Sequence, residues 1–517
     1  MENLMKWLML AMAALNFGLQ AVYFTHMLQL NSYRNERYKK WCVENEKKLV
    51  NIPRLLPVLC LFTLWLMRDS IPSWVPYAVC AGILLLTALL HLPKKAKKPL
   101  VVTKRVVRLF ITQGLLCLAV LAVSYFLFPL RGIGLIALFS MIVWLWTSVA
   151  NRINEPVEKR IADGFVKDAA ARLEQRPDLT VIGITGSYGK TSVKNFLAAV
   201  LSAKYNVLMT PGSYNTTMGV VRTVREMLRP THQVFLAEMG AKNPGDIKEI
   251  CDLVHPRYGI ITSVGEQHLE TFGTVENVLN TKFELADAIP SDGFIALNWD
   301  NELIRSRAVT APAVTYGSRE NGAGYYADNV TVSLHGCTFT VHTPDGESCT
   351  YTTRILGGHN VQNLTGCIAL AHTLGVPLAD MIYPVRMLKP VEHRLQLLPN
   401  GFIDDAYNSN PAGFRSALDT LSSFDATRVL VTPGMVELGE RQEELNRELG
   451  AYAATRCDYA VLVGLKQAPA LKAGLLEAGF PEDKLVVAAD LQQALQFVAT
   501  LPQDRIVLLE NDLPDNF

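Results

Sequence analysis

The chain has 517 residues, enough for about three or four units of ordinary size. Its 49 Lys and Arg against 48 Asp and Glu leave a formal charge of +1, which excludes the strongly basic balance of a protein whose main partner is nucleic acid. Nine cysteines are scattered without a CxxC pair, several inside apolar runs (Cys60, Cys80, Cys117), and read as reduced structural residues, not a disulfide or metal framework.

Residues 1–150 differ in kind from the rest. Five apolar stretches follow one another: Met5 to Leu28, Arg54 to Met67 with its flanks, Trp74 to Leu92, Val106 to Phe128 and Ile133 to Ala150. Each is expected to cross a bilayer as a helix. The first lacks the basic start and small-residue cleavage site of a signal peptide. Lys and Arg collect in alternate loops: Arg34, Arg37, Lys39, Lys40, Lys47 and Lys48 in one, and Lys94, Lys95, Lys97, Lys98, Lys104 and Arg105 in another. The remaining loops carry only Arg68 and Arg131. Positive charge stays on the cytoplasmic side of a membrane, so the N-terminus is expected outside and everything after Ala150 inside, where ATP is available. Few acidic groups lie in the spans to couple ions, which argues against a transporter. Over 151–177, Val157, Ile161, Phe165, Ala169 and Leu173 recur at helical spacing and predict an amphipathic linking helix.

Leu179 to Ile184 is a short β-branched run that suits a buried strand, and Thr185-Gly186-Ser187-Tyr188-Gly189-Lys190-Thr191-Ser192 follows it, with a helix expected from near Ser192. Strand, glycine loop and helix in that order form an anion cradle: glycines let backbone N–H groups approach a phosphate, and the helix N-terminus adds positive potential. Gly186, Ser187, Gly189 and Ser192 are expected to line it, Lys190 to reach the β- and γ-phosphates, and Thr191 to offer its hydroxyl to Mg²⁺. The general GxxxxGK[ST] pattern asks for Gly where Ile184 stands.

The variant from Gly183 to Thr191 resembles the ATP loop of the Mur ligases. Further motifs arrive in that family's order: Ala237-Glu238-Met239-Gly240-Ala241, Ile261 to Gly265 with His268-Leu269-Glu270, Thr281-Lys282-Phe283-Glu284, Gly358-His359-Asn360-Val361, Arg394-Leu395-Gln396, Asp404 to Pro411 and Glu437-Leu438-Gly439-Glu440. As a set they resemble the MurF branch, which adds D-alanyl-D-alanine. The chain is expected to be multi-domain: the apolar runs give a transmembrane block over 1–150 and the helical spacing a linking helix over 151–177, while the resemblance, which covers Leu179 to about Gly464, implies a central α/β ATP-binding domain over 178–388 and a Rossmann-like domain over 389–517. It implies an ATP-dependent amide-bond ligase working through an acyl phosphate, in which Glu238 and Thr191 hold one Mg²⁺ and His268 helps hold a second. Lys282 matches the lysine that many Mur ligases carbamylate into a metal ligand. Asn360 would contact ATP near the nucleoside, Arg394 would bring charge to the phosphate as the last domain closes, and Asp405 would accept from the ribose. Asn215, Thr216, Asn408 and Asn410 would line the substrate cleft.

Three features depart from the family pattern. The membrane block stands where ordinary members bind the uridine nucleotide sugar, Pro433-Gly434-Met435 replaces Gly-Asp-Met, and Glu510-Asn511-Asp512 replaces the Lys-Gly-Ser-Arg ending linked to the incoming amine. The expected partners are therefore the membrane, a small-molecule or lipid-linked envelope precursor, and an amino acid or dipeptide, with the oligomeric state left open. A ligase like folylpolyglutamate synthase and a non-catalytic nucleotide-binding membrane scaffold are the competing readings. Asp404 to Pro411 argues against the first, and intact Lys190, Glu238, His268, Lys282 and Asp405 against the second.

Overall fold

The computed structural model describes residues 1–49, 72–90, 92, 99–127, 130–265, 269–333, 336–407, 410–436, 438–464 and 466–512. The chain divides into two compact units, Met1–Gly164 and Phe165–Phe517.

The first unit is helical: α1 (Glu2–Leu30), α2 (Val75–Leu90), α3 (Lys104–Phe126), α4 (Leu130–Met141) and α5 (Val143–Glu174), with two short helices after α1. Its core gathers Met9, Phe17, Phe24, Tyr77, Leu84, Leu109, Ile136 and Phe139. Contacts along α1 fix the helix directions. Ser73, just before α2, donates to Glu2 at 2.7 Å, and further along Asn16 donates to Thr87 at 2.6 Å, so α1 and α2 run parallel. Against α3 the order reverses, with Trp7 5.4 Å from Tyr125, Gln113 donating to Thr25 at 3.0 Å and Arg105 over the Tyr33 ring at 4.0 Å. Phe17 meets Phe139 at 4.7 Å and Asn151 donates to the Tyr33 carbonyl at 2.9 Å, so α4 and α5 follow the direction of α1.

Among the described residues, α1 and α3 are each long and apolar enough to cross a membrane, and α4 with α5 makes a third if counted as one bent span; α2, at 16 residues, is shorter. The fifth expected span is corrected in shape. Instead of one straight helix over Ile133 to Ala150, the chain bends by 77° between α4 and α5, where Ile142 N donates to Phe139 O at 3.2 Å and Leu145 N to Ile142 O at 2.9 Å. These bonds between residues three apart interrupt the regular ladder at that point. The expected junction at residue 150 is no break at all, because no glycine or stop signal stands there and α5 continues to Glu174 through Pro156. Residues 54–67 lie outside the described residues.

The second unit is built on two sheets. The larger has the order β2-β3-β1-β4-β5-β6-β7-β8-β9 and comprises β1 (Thr180–Thr185), β2 (Val207–Met209), β3 (Val234–Glu238), β4 (Tyr258–Ile261), β5 (Phe294–Asn298), β6 (Ala313–Gly317), β7 (Tyr325–Ser333), β8 (Gly336–His342) and β9 (Ser348–Thr353). Pairing is parallel from β2 to β7, and β8 and β9 continue the same sheet folded back antiparallel. Helices α6 (Lys190–Leu201), α7 (Val275–Ala288) and α8 (Gly358–Thr373) cover its faces. α6 begins two residues earlier than expected.

The smaller sheet has the order β10-β11-β15-β12-β13-β14, with β10 (Gln396–Leu397), β11 (Phe402–Asp405), β12 (Thr427–Thr432), β13 (Tyr459–Val463), β14 (Leu485–Ala488) and β15 (Arg505–Glu510). All its pairs are parallel except β10 with β11. Helix α9 (Pro411–Ser422) follows β11. Both sheets thus present the carboxyl ends of parallel strands, where open α/β sheets bind ligands.

Candidate active site

β1 is buried from Val181 onward, and the loop leaving it turns on two glycines. Gly186 has φ +150°, and a Cβ there would lie 2.0 Å from Thr262 Oγ1; Gly189 has φ +82° with Asn363 Oδ1 3.1 Å from the Cβ position. Only glycine fits such approaches without displacing a neighbour. The loop is laced to the segment after β4: Ser187 N donates to Ser263 O at 2.7 Å, Tyr188 N to Ser263 Oγ at 2.9 Å, and Thr262 Oγ1 to the Tyr188 carbonyl. The Lys190 ammonium folds back into the cradle and donates to the carbonyls of Gly186 at 2.7 Å and Ser187 at 3.0 Å. Burial pushes its pKa down to about 8, with Glu238 opposing the shift and Arg394 adding to it.

Glu238 closes the fully buried β3. Its Oε1 accepts from Thr191 Oγ1 and from Asn215 Nδ2, each at 3.1 Å. Its Oε2 is ion-paired at 2.9 Å with Lys194, a residue the sequence reading passed over. Lys194 is 1% exposed and also donates to the Gly212 carbonyl. A signal for it exists in the sequence, since Lys194 stands one helical turn beyond Lys190 and on the same face.

Lys282 on α7 is 1% exposed, so its helix position does not make it the solvated residue that such a lysine suggests in isolation. Burial drives its ammonium well below the ordinary range, the neighbouring Lys190 adds to this, and Asp246 and Glu284 oppose it. Lys190 therefore feels Glu238, Arg394 and Lys282 together.

Gly189, Ser192, Asn360, Arg394 and Asp405 line one cleft, along with Tyr188, Asp300 and Gln362. Desolvation lowers the Arg394 pKa, while Asp405 and Glu238 pull it back up. Asp405 Oδ1 accepts from Leu395 N at 3.0 Å, and in the register of β11 and β15 its neighbour is Glu510. Burial, and then Asp405, push Glu510 well above the usual carboxylate range. Asn360 Nδ2 donates to Leu356 O at 2.8 Å. Two residues expected on the substrate use their oxygens to cap helices: Asn410 accepts from Gly413 N at 2.8 Å at the start of α9, and Thr216 from Gly219 N at 3.3 Å. His268 and Asn408 lie outside the described residues. The sequence reading also missed a polar corner, where Gln362 Nε2 donates to Asp300 Oδ2 at 2.6 Å.

Thr191 Oγ1 and Glu238 Oε1 bring two hard oxygens to one point, which suits Mg²⁺. Among the described residues no group of three His, Cys, Asp or Glu forms an all-protein cage.

The description "Mur ligase middle domain" matches residues 184–371, and "Mur ligase, glutamate ligase domain" matches 393–510. The UDP-N-acetylmuramoyl-tripeptide--D-alanyl-D-alanine ligase of Escherichia coli (strain K12) is 31% identical over 366 residues, covering 68% of this chain and 80% of that protein. MurF from Acinetobacter baumannii superposes with a TM-score of 0.61 at 29% identity, covering 67% of this chain and 77% of that one. The MurF ligase from Thermotoga maritima in complex with ADP gives 0.61 at 25% identity, covering 68% and 80%.

Proposed function

The chain belongs to the Mur ligase family, the ATP-dependent amide-bond ligases, and we propose that it joins an envelope-precursor carboxylate to an amine at the cytoplasmic face of the membrane. The observation that carries this reading is Glu238, a buried acid at a strand end, facing the glycine cradle through Thr191 and surrounded by Lys190, Lys194 and Arg394.

An acceptor carboxylate oxygen attacks the γ-phosphorus of ATP, and the bond to ADP breaks. The amine then attacks the acyl carbon, inorganic phosphate leaves, and the amine proton passes to solvent. Both steps concentrate negative charge on phosphoryl oxygens, so fixed cations supply most of the rate. Lys190 exchanges its two loop carbonyls for the phosphates, and Arg394 approaches them from the second sheet. Thr191 and Glu238 would hold Mg²⁺, which neutralises phosphate charge when bound. Burial pushes Lys282 toward the neutral amine that carbamylation requires, and a carbamate there would supply an anionic oxygen ligand beside Lys190. Asp405 would take the ribose, and Asn215 would lie between the metal and the acceptor.

The relatives' names give a UDP-linked tripeptide and D-alanyl-D-alanine as their substrates, and the same pair is the first to try here. A helical unit of this direction pattern supports an anchored enzyme acting where envelope precursors gather: α1, α2 and α5 run one way and α3 the other, with basic residues at the α3 start. Anchoring raises the effective concentration of an acceptor held at the same surface. The test is Mg²⁺-dependent ADP release that rises only when both a carboxylate acceptor and an amine are supplied; nucleotide binding without turnover would favour a scaffold. A reporter fused after Ala150 should read cytoplasmic, and an external reading would refute the topology.

A further inference from the structure

The reaction described above leaves Lys194 without a task, although a fully buried ammonium is costly to keep. We propose that Lys194 is a positioning residue: its contact with Oε2 keeps Glu238 turned so that Oε1 faces Thr191, and it ties the loop carrying Asn215 to the same acid.

The two carboxylate oxygens of Glu238 have different partners. Oε2 faces the Lys194 ammonium at 2.9 Å, a charged contact that the tight packing around a 1%-exposed side chain keeps in place. Oε1 accepts only from the neutral groups Thr191 Oγ1 and Asn215 Nδ2. A hydroxyl can rotate its proton away and an amide can be displaced, so Oε1 is the oxygen that can be given to a divalent cation, with Thr191 then turning a lone pair the same way. Glu238 is 0% exposed, so each of its oxygens depends on a protein partner and not on water. Lys190 spends its donors on the loop carbonyls, which leaves the direct contact to Lys194. The second Lys194 bond, to the Gly212 carbonyl, anchors the loop three residues before Asn215, so the metal acid and the acceptor loop share one support.

This inference rests on the reading of Glu238 as a Mg²⁺ ligand, and the test separates the two. ADP is titrated calorimetrically into the full-length protein, with and without Mg²⁺, for wild type, Lys194→Met and Lys194→Gln, and thermal melting is recorded for each. Glutamine keeps a donor for the Gly212 carbonyl without the charge and serves if methionine prevents folding. Both variants are expected to bind ADP without Mg²⁺ within about twofold of wild type, and to lose about tenfold or more of the tightening that Mg²⁺ confers. Wild-type tightening in both variants would overturn the proposal. So would a lowered melting temperature with ADP binding weakened equally in both conditions, the signature of a packing role. A wild-type protein that binds ADP with no Mg²⁺ effect refutes the metal reading of Glu238, and this inference with it.

Discussion

Each sheet of the second unit buries a carboxylate at the carboxyl end of a strand, and the two are kept by opposite means. Glu238 ends β3 beside Lys194, with Lys190 and Arg394 in its field. Asp405 ends β11 beside Glu510, acid next to acid, and burial with Asp405 raises the Glu510 pKa. The first arrangement sets an acid among cations, and the second sets it against another acid. Burial alone therefore does not tell what an acid is for; its nearest charge does.

The sharpest way to break this contrast is to remove the cation that makes the first site a phosphate cradle. Lys190→Ala should lower turnover by about 10³-fold or more while the protein still inserts into membranes, measured by ADP release from washed vesicles. Glu238→Gln should cost about 10²-fold and flatten the Mg²⁺ dependence of ADP release. Glu510→Gln, in contrast, should leave turnover within about threefold, because burial and Asp405 already favour the uncharged form of this group. Its effect is on stability. A carboxyl whose folded pKa is raised contributes stability that is present below its unfolded value of 4.5 and is lost as pH rises toward the folded value. Wild type should therefore lose stability relative to the variant as pH rises above 4.5, read from urea unfolding across a pH series. His359, half-buried in the lining of the same cleft with its pKa pushed down by desolvation to about 4 from 6.5, has the reverse sign. The unfolded chain takes up its proton first as pH falls, so stability drops between pH 6.5 and pH 4, by up to about 3 kcal/mol, and His359→Gln should remove that component.

Much of the second unit could be read from the chain because its signals are local. The run from Val181 to Thr191 fixes strand, turn and helix within a few residues, and Glu238 follows its own apolar strand. Family membership and the ligase class follow from the order of such motifs. Lys194 escaped because its burial depends on Gly212 and Glu238, both distant in sequence, whereas lysine on a helix ordinarily points to solvent. Glu510 was noticed only as a missing lysine; its pairing with Asp405 needs the parallel register of two strands about a hundred residues apart. The capping by Thr216 and Asn410 was hidden by a more interesting expectation for the same residues. In the helical unit, hydropathy located the apolar runs but could not place the bend at Ile142, which arises from backbone bonds and not from composition.

The stitching of the glycine turn to Ser263 has a kinetic consequence. A jaw riveted at Ser187 and Tyr188 to the strand behind it stays put while nucleotide comes and goes, so only the Lys190 side chain needs to move on that side. Opening and closing then fall to the opposing jaw that carries Arg394 and Asp405, and the slow step of a catalytic cycle would be set by how readily that half swings.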